Sequence, residues 1–97
     1  MSLPITMYGA TDCEDTAHVF ARLTALGIPF RYVNIDHDPE AERFVIFING
    51  GFRSTPTLVI GEGKWKTVVT EPTDAQIDEL ARQVLGHSQT MTDTKGG

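Results

Sequence analysis

The spacing of apolar and polar positions along this chain changes period several times, and each change marks an element. Leu3–Tyr8 is a short apolar run rich in strand formers, broken by Gly9-Ala10-Thr11, and predicts a first strand. Asp12 then has the character of a helix N-cap, with Asp15 three residues on in the manner of a capping box. From Cys13 to Leu26, the residues Ala17, Phe20, Ala21, Leu23 and Leu26, with Val19 alongside, recur at helical spacing. Gly27 stops this helix and Pro29 lies just beyond. Phe30–Ile35 alternates Phe30, Tyr32 and Asn34 against Arg31, Val33 and Ile35, which suits a second strand. A helical connection between the two strands makes them parallel, with a right-handed crossover.

Asp36-His37-Asp38-Pro39 opens a second helix, with Asp38 as N-cap and Pro39 at the first helical position. Ala41, Phe44, Val45 and Ile48 mark its buried face, and Asn49-Gly50-Gly51 ends it. Thr57–Ile60 and Trp65–Val69, separated by Gly61-Glu62-Gly63-Lys64, predict an antiparallel hairpin. Thr73 caps a last helix with Gln76 at the box position, and Ile77, Leu80, Ala81, Val84 and Leu85 form its stripe. Ser88–Gly97 is polar and aperiodic and reads as a disordered tail. The order is strand, helix, strand, helix, strand, strand, helix. This is an α/β chain with a mixed four-stranded sheet covered by helices on both faces.

Ninety-seven residues allow one domain and no second core. A formal net charge of −5 argues against nucleic acid or an anionic membrane surface, because phosphate contacts need Lys or Arg. No stretch approaches the ~20 apolar residues of a membrane span, and Met1–Thr6 has no signal-peptide pattern. A cytoplasmic protein is expected. One cysteine permits neither an internal disulfide nor a multi-thiolate zinc site, and no metal is expected.

That cysteine, Cys13, lies between a strand end and the first turn of a helix. Unpaired backbone N–H groups and the positive end of the helix dipole favour a thiolate there, and the thiolate is the nucleophile of disulfide exchange. The other reading of Cys13 is a small buried hydrophobe. A second signal is Ser54-Thr55-Pro56-Thr57 at the entrance of the third strand, where proline removes a ladder donor. A cis Thr55–Pro56 bond would expose the backbone groups of Thr55 beside the Cys13 loop; the alternative is a trans proline that merely opens the strand.

Together these features make the chain resemble the glutaredoxin family, and within it the mycoredoxin branch, over about Ile5 to Leu85. The resemblance rests on Tyr8 five residues before the cysteine, Gly27-Ile28-Pro29, Val33-Asn34-Ile35-Asp36, Asp38-Pro39-Glu40-Ala41, Asn49-Gly50-Gly51 and Thr55-Pro56-Thr57. It implies the thioredoxin fold with sheet order 4-3-1-2, a cis bond before Pro56, and Cys13 facing Thr55 and Pro56 across a small groove. The implied domain is 3–86, with a tail at 87–97. Two-thiol members carry Cys-x-x-Cys, whereas this run is Cys13-Glu14-Asp15-Thr16, so only a monothiol cycle is open to it. Such a cycle acts on mixed disulfides between proteins and a low-molecular-weight thiol, mycothiol or glutathione. Cys13 is the expected nucleophile, and the hydroxyl of Thr16, one helical turn along, is placed to donate to its thiolate. Tyr8, Asp12, Arg53, Thr55 and Pro56 are the expected substrate-binding residues, and the expected state is a monomer.

Asp12, Glu14 and Asp15 put three carboxylates beside Cys13, which favours the protonated thiol and repels the carboxylates of glutathione. The same acids stabilise a helix N-terminus. Arg53 is the one cation expected near the groove. The Cys-Gly-Phe-Ser run of monothiol iron–sulfur carriers is not matched. His18 falls about 140° round the helix from Cys13 and faces away from the thiol; Asp36-His37-Asp38 reads as a turn and His87 lies in the tail. Two functions follow: a monothiol oxidoreductase, or a redox-inactive module that binds a protein partner through the same groove or the Trp65 hairpin.

Overall fold

β1, Ile5–Gly9, is the strand around which the sheet is built. It pairs in parallel with β2, Arg31–Asn34, on one side, and antiparallel with β3, Thr57–Glu62, on the other. β4, Trp65–Thr70, completes the hairpin with β3, giving the order β2-β1-β3-β4 that the resemblance implied. Three helices follow the predicted positions: α1, Glu14–Ala25; α2, Pro39–Ile48; and α3, Asp74–Val84. The computed structural model describes residues 4–85. The strand start at Leu3, the domain limits at 3 and 86, His87 and the tail at 87–97 lie outside those residues.

The period of two along the strands divides the interior between the two faces of the sheet. Ile5 and Met7 of β1 join Leu58 and Ile60 of β3 in a cluster with Val19 and Leu23 of α1, Ile28, and Ile77 and Leu80 of α3. On the opposite face, Tyr8 and Val33 pack against Ile35, Ala41 and Val45 beneath α2. Helix starts follow local chemistry. Asp38 accepts the Ala41 N–H at 3.1 Å with Pro39 at the first helical position. Thr73 and Gln76 form the predicted reciprocal capping box of α3, at 3.1 and 2.8 Å.

Four local expectations are corrected. The cap of α1 is Cys13 rather than Asp12, and no capping box with Asp15 forms, because Asp12 adopts φ 58° and the helix starts one residue later. β2 stops at Asn34, whose side chain accepts the Asp36 N–H at 2.9 Å and turns Ile35–His37 into a short 3-10 segment. The hairpin pairs through Glu62 and Trp65, so its turn is only Gly63-Lys64, with φ 66° at Gly63. On α1 the buried stripe is Thr16, Val19 and Leu23, while Ala17, Phe20 and Ala21 lie on the exposed flank.

Candidate functional site

The segment that carries Cys13 is short and tied on several sides. β1 ends at Gly9, and an ideal Cβ placed on Gly9 would lie 2.5 Å from Thr16 Cγ2 and 2.9 Å from Tyr32 Cε1, so only glycine fits this close approach of strand to helix. The next N–H, of Ala10, donates to Thr16 Oγ1 at 3.3 Å. Thr11 N–H donates to Asp36 Oδ2 at 2.8 Å, and Asn34 Nδ2 donates to Thr11 Oγ1 at 3.0 Å. Asp12 then turns the chain with its left-handed backbone, which puts the Cys13 sulfur at the helix cap. There Sγ accepts the Thr16 N–H at 3.4 Å, one of the orphan donors of the first turn.

Across from the cap stands the Thr55–Pro56 segment, whose peptide bond is cis as the resemblance implied. Cys13 Sγ is 3.4 Å from Thr55 Oγ1 and 3.9 Å from Thr55 O. These two atoms serve the two protonation states. A thiol donates to the Thr55 carbonyl, while a thiolate accepts from the Thr55 hydroxyl. Pro56 is buried, and its carbonyl accepts the Glu71 N–H at 2.7 Å.

Partial burial pushes the Cys13 thiol up. Hydrogen bonds from the hydroxyls of Thr16 and Thr55 and from the backbone N–H groups of Thr16 and Asp15 outweigh it, leaving the thiol below its ordinary value. The expectation that Asp12, Glu14 and Asp15 keep the thiol protonated is not met. Their side chains are exposed, where water and salt screen them, and Asp15 acts on the sulfur through its N–H.

Arg53 does not reach toward those acids. Its guanidinium bonds to Asp36 and, at 2.5 Å, to Glu42, bridging the segment after β2 to α2. The Arg53 hydrogen bond, with the Thr11 N–H second, holds the Asp36 carboxyl below the usual range. Arg53 therefore braces the Cys13 loop through Asp36 and Thr11. Tyr8 is likewise one layer away, its ring 5.3 Å from that of Phe44 in the cluster beneath α2. His18 pairs with Asp74 at 2.7 Å, joining α1 to α3 away from the thiol. Among the described residues no group of three His, Cys, Asp or Glu side chains is placed to hold a metal ion, and no helix is long and apolar enough to cross a membrane. Trp65 opens β4, and its side chain lies outside those described.

Sequence patterning missed two parts of this region. Asn49, read as a helix stop and a family motif with no part at the site, bridges three elements: its Nδ2 donates to Val45 O at 2.9 Å and Thr57 Oγ1 at 3.2 Å, and its Oδ1 accepts from Thr70 Oγ1 at 2.6 Å. Thr57 in turn donates to Ser54 O at 2.9 Å, so this network supports the loop that holds Thr55. The second is Tyr32. Its phenol is pushed up by burial and then by the negative charges of Asp36 and Cys13, which sets it within electrostatic reach of the sulfur.

This geometry agrees with comparisons to known proteins. An 82-residue stretch is 28% identical to a protein of Mycobacterium tuberculosis strain H37Rv, provisionally named a glutaredoxin, covering 84% of this chain and 94% of that one. A solved glutaredoxin from Archaeoglobus fulgidus superposes with a TM-score of 0.62 at 23% identity, over 80% of this chain and 85% of its own. The glutaredoxin-like NrdH-redoxin of Escherichia coli gives 0.57 at 24% identity, over 77% and 92%. Likenesses at such identity show the fold, which is the thioredoxin fold. The glutaredoxin family model itself matches residues 5–65, well over half of the chain and the whole of the Cys13, cis-Pro56 and first hairpin-strand framework, and the chain belongs to the glutaredoxin family.

Proposed function

We propose that this chain is a thiol–disulfide oxidoreductase that resolves mixed disulfides between proteins and a small thiol by a monothiol cycle. The observation that carries the reading is the Cys13 sulfur at the cap of α1, accepting the Thr16 N–H and lying 3.4 Å from the Thr55 hydroxyl. Both contacts favour the anion, which is the reactive form.

The cycle needs no second cysteine. Cys13 thiolate attacks the small-thiol sulfur of the mixed disulfide; the bond between the two substrate sulfurs breaks, and the protein thiolate leaves with the electron pair and takes a proton from water. A second small thiolate attacks the small-thiol sulfur now bonded to Cys13, releasing Cys13 thiolate and a disulfide of two small thiols. Thr16 occupies the place where a resolving thiol would compete, and serves instead to stabilise the thiolate. Thr55 and Pro56 form the wall that receives the small-thiol half, and Asp12 lines the opposite side of the sulfur, where the rest of the substrate lies. Tyr8 and Arg53 act at one remove, through Phe44 and Asp36.

The small thiol is mycothiol or glutathione; the carboxylates of Asp12, Glu14 and Asp15 favour mycothiol, because they disfavour a ligand bearing carboxylates of its own. On this reading the chain is a cytoplasmic monomer of the mycoredoxin-like branch, with its domain at 3–86. The pH dependence of Cys13 alkylation is the test. The expected midpoint lies below the value of about 8.5 for a free thiol. A midpoint at or above that value overturns the reading and leaves a redox-inactive module that binds a protein partner. Turnover with mycothiol and with glutathione then identifies the thiol.

A further inference from the structure

Phe20 has the spacing of a core residue, yet 40% of it is exposed while Thr16, Val19 and Leu23 beside it are buried. Its ring is held all the same. It meets Phe30 edge-on with centroids 5.1 Å apart, and Tyr32 edge-on at 5.3 Å. The outcome is a fixed aromatic surface with one open side. With Ala10, Ala17 and Tyr32 that side bounds a pocket of about 630 Å³, and Cys13 lies in the same lining. Thr55 and Pro56 contribute nothing to it, so the sulfur stands between this pocket and the cis-proline wall. Asp12, Glu14 and Thr16 complete the lining; among the described residues neither acid has an ion-pair partner, and no basic side chain lines the pocket.

We propose that this pocket is the subsite for the protein half of the mixed disulfide. It takes an apolar or aromatic side chain next to the substrate cysteine, with a Lys or Arg one or two residues away against Asp12 and Glu14. The proposal rests on the exchange reading of Cys13 given above. Charge selects this occupant over others. A second copy of a chain of net charge −5 is repelled by an acidic rim, and a small thiol without a cationic group gains nothing from that rim. The anchored aromatic rings offer apolar contact with little ordering cost, which favours a substrate side chain. During exchange the protein sulfur is the leaving group, so holding its flanking residues on the far side of Cys13 from Thr55 aligns the three sulfurs.

Two peptides test this, each with one cysteine in a mixed disulfide with 2-mercaptoethanol: one with Phe and Arg flanking the cysteine, the other with Ser and Glu. Hydroxyethyl disulfide serves as a reference that needs no subsite. The Phe/Arg peptide is expected to exchange about tenfold faster, the effect of one buried aromatic contact and one rim charge pair together. That preference falls below about threefold in Phe20→Ser and is reduced in Glu14→Gln and in 0.5 M NaCl, as screening of exposed charge requires. Equal rates for the two peptides, or an unchanged preference in Phe20→Ser, overturn the subsite.

A binding measurement separates this from failure of the chemistry. The Cys13→Ser protein titrated with the reduced Phe/Arg peptide should show NMR shift changes at Ala17, Phe20 and Tyr32. Their absence, or the same changes with the Ser/Glu peptide or with mycothiol, also overturns the subsite. Shifts at these residues without exchange of hydroxyethyl disulfide by the wild type uphold the subsite and refute the oxidoreductase reading alone.

Discussion

Replacing Gly9 by alanine adds one carbon at the point where β1 passes closest to α1. That carbon would stand 2.5 Å from Thr16 Cγ2, 3.1 Å from Thr16 Oγ1 and 2.9 Å from Tyr32 Cε1. Carbon pairs rest at about 3.5–4.0 Å, so the first contact must open by roughly 1 Å. Thr16 cannot turn away cheaply. It is β-branched, buried, and its hydroxyl accepts the Ala10 N–H, so either the first turn of α1 moves or that bond is lost. Overpacking of this kind costs about 1–3 kcal/mol. Glycine-to-alanine replacement returns about 0.4–1 kcal/mol by restricting the unfolded chain. The net loss, about 1.3 kcal/mol at the middle of these ranges, lowers the melting temperature of a domain this size by roughly 5–10 °C. Urea and thermal unfolding of Gly9→Ala measure it. The decisive comparison repeats the substitution in a Thr16→Ser background, where the atom at 2.5 Å is gone and Gly9→Ala should cost clearly less. A neutral or stabilising Gly9→Ala, or an equal cost in both backgrounds, refutes the reasoning.

Thr16→Val keeps the shape of the side chain but removes the hydroxyl that accepts from Ala10 and favours the thiolate; the midpoint of Cys13 alkylation should rise and the rate at neutral pH should fall, read with iodoacetamide across a pH series. Because the folded thiol lies below its unfolded value, Cys13 contributes stability that is fully present above the unfolded thiol pKa and is lost as pH falls through the folded one. Urea midpoints of the wild type relative to Cys13→Ser should therefore climb as pH rises through that window and level off above it; a flat difference contradicts the lowered thiol. Asn49→Ala deletes three hydrogen bonds, one back to Val45 O of α2 and two that tie the end of α2 to β3 and β4, and at about 1 kcal/mol for each net bond it should lower stability by roughly 1–3 kcal/mol in urea unfolding while slowing Cys13 exchange through the loosened Thr55 loop.

The order of elements and the sheet topology were legible because each strand and helix carries its own period and its own stop. Asp38-Pro39, Thr73 with Gln76, and the glycines after α1 and α2 act within a few residues, and tertiary contacts do not override them. The hydrogen-bond partners at the site were not legible, because they join residues far apart in sequence: Thr11 to Asp36, Asn49 to Thr70, Cys13 to Thr55. The electrostatics of Cys13 were misjudged for a related reason. Three adjacent acids are visible in the sequence, but their exposure and the donors aimed at the sulfur are properties of the folded loop. Moving the cap by one residue, from Asp12 to Cys13, changes the sulfur from a neighbour of the helix dipole into the acceptor at its end.

The error on α1 says most about function. A helical period shows that Ala17, Phe20 and Ala21 lie along one flank of the helix and Val19 and Leu23 along another, but not which flank the sheet covers. A domain of this size has only one sheet to cover α1, and β2, the four-residue edge strand beside it, is too short to bury both flanks. Phe20 is therefore left half open, packed on Phe30 and Tyr32 and facing the sulfur's surroundings instead of the core. A chain selected for stability alone would place a polar residue at such a position, as it does at Glu14 and His18 on the same helix. An aromatic residue there, beside the one cysteine and under two carboxylates that have no ion-pair partner among the described residues, departs from the pattern that makes a good surface, and such local departures are where binding sites are found.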